Sequence, residues 1–342
     1  MSHKRVYISY TGGTIGMRKT RLGYAPAPGF LQEYMHTMPE LSQPGMPEIE
    51  IHEYNPLLDS SNMTPADWVS IAQDIAANYA AYDGFVVLHG TDTLAYTASA
   101  LPFLLQGLGK PVILTGSQIP LCEFRNDGRG NLITALYLAA NYPIPEVCVL
   151  FGSKLLRGCR TVKVSADGFE AFDSPNFPPL GEVGVDITVN WSLVRSPTES
   201  AGVTIPCLGL TATVGALRLF PGISAQVVNN LLQPPIQGLV LEAYGSGNAP
   251  DRDKGLREVI HAASQRGVVI VDCTQCLHGA VHLGEYATGS ALLEAGVISG
   301  YDMTAEAALA KLFYLLSCGY AAPQVRQLMQ ENLCGELTLA GR

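Results

Sequence analysis

Short apolar runs alternate with longer stretches of helical period along this chain. Arg5 to Tyr10 has the alternation of a strand, and Ile49 to Tyr54 repeats it more weakly. Phe85-Val86-Val87-Leu88, Pro111 to Gly116 and Val147 to Phe151 are continuous apolar runs, the pattern of strands buried on both faces of a parallel sheet. Between them lie helical patterns. Thr64-Pro65-Ala66-Asp67 combines an N-cap, a proline at the first helical position and an acid at the third, opening a helix to about Tyr82. Asp92 to Leu108 and Asn126 to Asn141 are the next two helices. Residues 174–206 are rich in Pro, Gly, Ser and Thr with little helical period, and read as a linker region. The alternation then resumes. Leu208 to Val214, Gly238 to Glu242 and Val268 to Cys273 are expected strands. Ser224 to Leu232, Asp253 to Gln265, Thr304 to Ser317 and Pro323 to Asn332 are expected helices. Strands separated by helices imply an α/β fold with right-handed crossovers. The expected organisation is a larger parallel-sheet domain over residues 1–190, a linker over 191–206 and a smaller α/β domain over 207–342.

Composition narrows the classes. Of 342 residues 47% are hydrophobic, enough to build sizeable cores and exclude gross disorder. Lys and Arg number 21 against 30 Asp and Glu, a net charge of -9, which disfavours a nucleic-acid partner. No run approaches the roughly 18 uninterrupted apolar residues of a membrane span. The apolar stretch at the N-terminus is too short and too alternating for a signal-peptide core, so the expected location is the cytoplasm. The eight cysteines are too sparse for a disulfide scaffold and are expected as thiols.

Ligands of open parallel sheets bind beyond the carboxyl ends of the strands. The residues just past each expected strand are therefore the first place to seek chemistry. Thr11-Gly12-Gly13-Thr14-Ile15-Gly16 comes after the first, Asp59-Ser60-Ser61 after the second, His89-Gly90-Thr91-Asp92-Thr93 after the third and Thr115-Gly116-Ser117-Gln118 after the fourth. Glycines let backbone N–H groups approach a ligand, and hydroxyls supply donors, acceptors and a nucleophile. Nucleotide binding is disfavoured, because neither G-x-G-x-x-G nor G-x-x-x-x-G-K-[ST] occurs. A threonine attacks only when a base takes its proton, and a desolvated lysine can be that base. Lys163, between apolar neighbours past the fifth strand, is one candidate among seven lysines; its other reading is a surface or salt-bridged residue. Asp92 alone reads equally as an acid favoured by a helix dipole.

Taken together, these residues resemble the asparaginase/glutaminase family. Tyr10 to Gly16 matches one signature and Gly84 to Leu94 the other, while Asp59-Ser60-Ser61, Thr115-Gly116-Ser117, Lys163 and Tyr244-Gly245-Ser246-Gly247-Asn248 come in family order. The likeness spans nearly the whole chain and is greatest to the cytoplasmic type I L-asparaginases. It implies hydrolysis of L-asparagine to L-aspartate and ammonia, with no cofactor and no metal. Thr14, favoured over Thr91 as the nucleophile, would carry a β-aspartyl ester. Lys163 would be the base, Thr91 would carry or position a proton or water, and Asp92 would fix the α-amino group. Asp59, Ser60 and Ser61 would hold the amino-acid end of the substrate. Gly90, Thr91 and Ser117 are candidate oxyanion donors, each worth about 2.7–4 kcal/mol. Tyr24, in a mobile lid over Arg18 to Gly29, would close on Thr14. Exported relatives back that tyrosine with a glutamate from a neighbouring subunit. Asn248 would reach a partner's site, implying a homodimer or dimer of dimers.

Some cytoplasmic members carry a second asparagine pocket around a Thr-Gln-Cys turn. Thr274-Gln275-Cys276 matches it, but Glu242 occupies the arginine position and Val162 precedes Lys163 where a threonine is expected. A glutamate would repel the effector's carboxylate, so weak or absent cooperativity is expected. The alternatives are an amidase or ammonia-supplying subunit of other specificity, a non-catalytic amino-acid sensor, and a zinc site at Cys273, Cys276, His278 and His282, whose spacing is too short for a finger.

Overall fold

A computed structural model describes residues 4–21, 23–197, 202–250, 254–284 and 287–339. Leu22 in the expected lid, 198–201 in the expected linker and the expected helix start at Asp253 lie outside these residues. Chain contacts divide the molecule into two compact units, residues 1–205 and 206–342.

The first unit begins with strand β1 (Arg5–Gly12), a hairpin of β2 (Met17–Thr20) and β3 (Gly23–Pro26), and helix α1 (Phe30–His36). Then come β4 (Glu48–Leu58), α2 (Pro65–Asn78), β5 (Gly84–Leu88), α3 (Leu94–Leu104), β6 (Val112–Thr115), α4 (Gly128–Asn141) and β7 (Val147–Phe151). Short strands β8 (Lys154–Arg157), β9 (Val162–Lys163), β10 (Phe172–Asp173), β11 (Gly181–Val183) and β12 (Ile187–Val189) finish it. Eight strands form one sheet in the order β12-β11-β8-β7-β6-β5-β1-β4. The run from β4 to β7 is parallel; β8, β11 and β12 add an antiparallel margin.

Alternation along β1 assigns the faces. Val6, Ile8 and Tyr10 pack with Leu132, Ala135 and Leu136 of α4. Tyr7 and Ser9 point the other way and donate hydrogen bonds to Asp74 of α2 at 2.8 and 2.5 Å. Thr64 and Asp67 form the capping box that the sequence predicts at the start of α2.

The second unit holds β13 (Val214–Arg218), α5 (Ala225–Leu231), β14 (Gly238–Ala243), α6 (Lys254–Gln265), β15 (Val269–Thr274), α7 (Ala287–Glu294), β16 (Ile298–Ser299), α8 (Ala305–Ser317) and α9 (Ala322–Met329). Its four parallel strands lie in chain order, β13-β14-β15-β16.

Three expectations need correction. The strand expected at Leu208 to Val214 begins only at Val214, because Leu210 takes a left-handed φ of 47° that ends any extended run. The region expected as linker from 174 supplies β11 and β12, since turn-forming residues also mark short hairpins. Its partner β8 comes after β7 through a two-residue Gly152-Ser153 turn, with Gly152 at φ 57°. The segment expected as a mobile lid forms the β2–β3 hairpin, with Lys19 opposite Tyr24. Helices α1 and α7 have no counterpart among the expected elements, although α1 carries Phe30, Leu31, Tyr34 and Met35 at helical spacing. Among the described residues no helix is long and apolar enough to cross a membrane.

Candidate active site

β1 lies between β4 and β5, so the chain leaves β1 toward one side of the sheet and leaves β5 toward the other. Such a reversal opens a crevice between the two strand ends. The turns at these ends are pressed together through glycine. A Cβ on Gly13 would lie 2.5 Å from Gly90 N, one on Gly90 2.4 Å from Ser60 Oγ, and one on Gly116 2.4 Å from His89 O. Gly13 also sits at φ 89°, immediately before the 3-10 turn that presents Thr14. Only glycine lets these backbones approach so closely.

His89 braces the turn from beneath. Its Nδ1–H donates to Gly90 O at 2.7 Å, leaving Nε2 to accept from Thr97 Oγ1 at 2.8 Å. Complete burial lowers its pKa to about 4, so the ring is neutral at pH 7. Thr93 Oγ1 donates to Ser60 O at 2.7 Å, joining the turns after β4 and β5. The Asp59 carboxylate accepts from both the backbone N and the hydroxyl of Ser61, at 3.0 and 2.9 Å, shaping the turn after β4.

Lys163 enters from β9, pinned opposite Phe172 of β10. Its Nζ donates to Thr91 Oγ1 at 2.9 Å and to Asp92 Oδ1 at 2.8 Å. The lysine side chain is 20% exposed against 65% for the aspartate, so the pair sits at a cavity mouth with the amine inside. Thr91 Oγ1 donates onward to Gln118 Oε1 at 3.3 Å.

These groups enclose one cavity of 340 Å³. Thr14, Asp59 and Ser60 contribute from the β1 and β4 ends; Gly90, Thr91, Asp92 and Lys163 complete the wall from β5 and β9. Gln118, Met17 and Ala166 also line it, and nothing in the sequence alone gives them a role. Three other candidates lie off the wall. Ser61 is occupied with Asp59. Ser117 is buried, its side chain set against Gly128 at the start of α4, and its hydroxyl has no partner among the described residues. Tyr24 is 46% exposed and donates its phenol hydrogen to Glu123 Oε1 at 2.7 Å. That bond raises the tyrosine pKa, so the phenol keeps its proton.

Glu123 and Asp127 are further contributors without a sequence signature. The loop that holds them carries the hairpin: Leu121 N donates to Ile15 O at 3.1 Å and Cys122 Sγ to Met17 O at 3.5 Å. Asp127 accepts from the backbone N of Gln118 and of Ile119 at 2.9 and 3.0 Å, and fixes the turn after β6. The only sequence hint is the position of Asp127 at a helix start.

The remaining candidates belong to the second unit. Asn248 closes a tight turn after β14, exchanging backbone hydrogen bonds with Tyr244 at 2.8 and 2.9 Å. Gln275 Nε2 donates to Glu242 O and Leu219 O at 2.8 and 2.7 Å, and Cys276 N donates to Thr274 Oγ1 at 3.0 Å. The Glu242 carboxylate is 3.4 Å from Arg218 Nη1, which supplies a cation beside it. Cys273 is buried and Cys276 exposed, and among the described residues no three His, Cys, Asp or Glu side chains gather as metal ligands do.

Comparison with known proteins places this geometry. Residues 5–195 match the domain family described as Asparaginase, N-terminal, and residues 213–329 match the Glutaminase/Asparaginase C-terminal domain. The chain is 54% identical to L-asparaginase 1 of Escherichia coli K12 over 339 residues, 99% of each chain. It is 46% identical to a 60 kDa lysophospholipase of Mus musculus, over 98% of this chain and 63% of the mouse protein. The crystal structure of L-asparaginase I from Vibrio cholerae superposes with a TM-score of 0.91 at 52% identity, covering 99% of this chain and all of that one.

Proposed function

The chain belongs to the asparaginase family, and from that premise we propose that it is a type I L-asparaginase, hydrolysing the side-chain amide of L-asparagine to L-aspartate and ammonia. One observation carries the reading: Thr14 and Thr91 line the same cavity, and Lys163 Nζ bridges Thr91 Oγ1 and Asp92.

Thr14 Oγ adds to the amide carbon. The carbon–nitrogen bond breaks, ammonia departs and a β-aspartyl ester remains on Thr14. Thr14 gives up one proton and the leaving nitrogen gains one, and the Lys163–Thr91 pair carries the transfer. Water then attacks the ester, returning the hydroxyl to Thr14 and releasing aspartate. The backbone N–H groups at Gly90 and Thr91 face the developing oxyanion. Asp92 receives the α-amino group, and Asp59 with Ser60 receives the amino-acid end. Tyr24, backed by Glu123 of the same chain, belongs to a hairpin that closes on the site.

The enzyme works in the cytoplasm, a reading supported by the exposed thiols of Cys122, Cys207 and Cys276. It assembles as a homodimer or dimer of dimers, with Asn248 offered to a partner's site.

The test is ammonia release by purified wild type, Thr14→Ala and Lys163→Met across a range of L-asparagine concentrations. The wild type is expected to be active with a hyperbolic rate curve, Glu242 opposing an effector carboxylate. Thr14→Ala is expected to lose at least about 10⁴-fold in kcat, as removal of a covalent nucleophile does. Wild-type inertness toward asparagine, glutamine and related amides would overturn the reading. Near-normal turnover by Thr14→Ala would move the nucleophile to Thr91.

A further inference from the structure

Gln118 occupies a place that the reaction as described leaves unexplained. The Thr91 hydroxyl has one hydrogen and two lone pairs. Lys163 Nζ donates into one lone pair at 2.9 Å, so the hydrogen cannot point at the lysine. It points at Gln118 Oε1, 3.3 Å away. The glutamine amide cannot flip, because Nε2 donates to Gly168 O at 3.1 Å and a flip would set two carbonyl oxygens together. Gly168 is in turn held by Ser165 Oγ, which accepts from Gly168 N at 2.9 Å, within the loop just past Lys163. The backbone of Gln118 is clamped by Asp127 at 2.9 Å. The amide therefore ties Thr91 to the segment that carries its lysine, and it is fixed at both ends.

We propose that Gln118 is a positioning residue that aims the Thr91 hydroxyl hydrogen, so that Thr91 relays a proton from Lys163 outward into the cavity. This rests on the asparaginase reading and deepens it. In the resting site the hydrogen-bond chain runs Lys163 to Thr91 to Gln118, with every hydrogen directed away from the lysine. The Thr91–Gln118 bond is long and therefore weak, so the hydroxyl turns readily to a bound substrate. On turning, Thr91 gives its hydrogen to the departing nitrogen and receives one from Lys163 Nζ. The proton that Thr14 loses on adding to the carbon passes to Lys163 Nζ in the same relay in which that group passes one to Thr91, so the nitrogen leaves as ammonia and the lysine ends charged as it began. Without the glutamine acceptor the hydroxyl has no defined resting direction, and delivery to the leaving nitrogen slows.

The experiment compares wild type with Gln118→Met, which keeps the length and removes the acceptor, on L-asparagine and on the β-hydroxamate of L-aspartate. Hydroxylamine is a weaker base than ammonia and departs with less help from an acid. The expected result is a fall of about fivefold in kcat for asparagine, the order of one neutral hydrogen bond, with KM within about twofold, and a fall of under about twofold for the hydroxamate. Equal losses on both substrates, or a change confined to KM, would overturn the proposal. Should Gln118→Met fold poorly by thermal melting, Gln118→Ala carries the same comparison. A wild type inert on both substrates would instead overturn the asparaginase reading, so the two failures are distinguishable.

Discussion

Two parallel sheets in this chain end in small polar residues, and among the described residues the end of the first is lined as a cavity. In the first unit the turns after β1 and β5 leave the sheet in opposite directions, and Thr14 and Thr91 face one space of 340 Å³. In the second unit the strands lie in chain order, so every connection moves the same way. There the turns are stitched together: Gln275 N donates to Ala243 O at 3.0 Å and His282 N to Ser246 O at 2.9 Å. Both ends carry hydroxyls, glycines and an acid. The strand order differs between them, and a reversal of order is what opens a crevice at a sheet end. The acids of the two sheets differ too, one at a cavity mouth and one buried. Asp92 at the first sheet has Lys163 beside it, whereas both oxygens of buried Asp272 on β15 lack a partner among the described residues.

After the loss expected for Thr14→Ala, the largest effect should come from Gly13→Ala. Its Cβ would collide with the backbone of Gly90, separating the two turns by a fraction of an ångström or more. About 100-fold should be lost from kcat/KM, since misplacement on the scale of 1 Å has that consequence. Gly222→Ala in the second unit provides the control. It shares a left-handed φ of 91° but meets nothing within 4 Å, so it should lower stability by about 1 kcal/mol and leave turnover intact. Equal kinetic losses in the two variants would break the contrast.

The two units should also answer pH in opposite senses. His89 in the fold has a pKa of about 4 against 6.5 in the unfolded chain. Between those values only the unfolded chain takes up the proton, so this contribution is intact above pH 6.5 and is lost as pH falls toward 4, about 3 kcal/mol in all. Denaturant titrations of wild type and His89→Gln should show a gap whose size changes by that amount between pH 7 and 4.5. A constant gap would mean that His89 titrates normally.

Asp272 runs the other way, its pKa pushed up to about 8 by burial. The folded chain keeps a proton that the unfolded chain releases above pH 3.8, so stability falls as pH rises from there to 8. Asp272→Asn should therefore stabilise the protein by about 1–2 kcal/mol at pH 8, a gain reduced because the amide is also buried and unpaired. The gain should vanish at pH 4; if it persists there, the carboxyl has an unrecognised partner.

Much of this was legible in the sequence. Gly84 to Leu88, Val112 to Thr115 and Val147 to Phe151 are strands because nothing but burial on both faces suits such runs. Lys154 to Arg157 was not legible, since a strand ended by two cations reads as surface until β7 and β11 flank it. Thr14, Thr91, Asp92 and Lys163 stood out through their motifs and their order. Gln118, Glu123 and Asp127 did not, because what each does depends on a partner far away in the chain or on the turn it holds: Gly168 lies 50 residues beyond Gln118, and Tyr24 lies 99 before Glu123.

The sequence by itself determined the alternation of strands and helices, the glycines that permit close turns and the residues able to do acyl transfer, because propensity and reactivity are local. Tertiary structure alone decided that β1 and β5 are neighbours with diverging exits, that Lys163 meets Thr91 across 72 residues, and that the tyrosine hairpin rests on a carboxylate of its own chain. Those outcomes depend on which strands pair and which turns collide. They are set by packing over distances that no local pattern encodes.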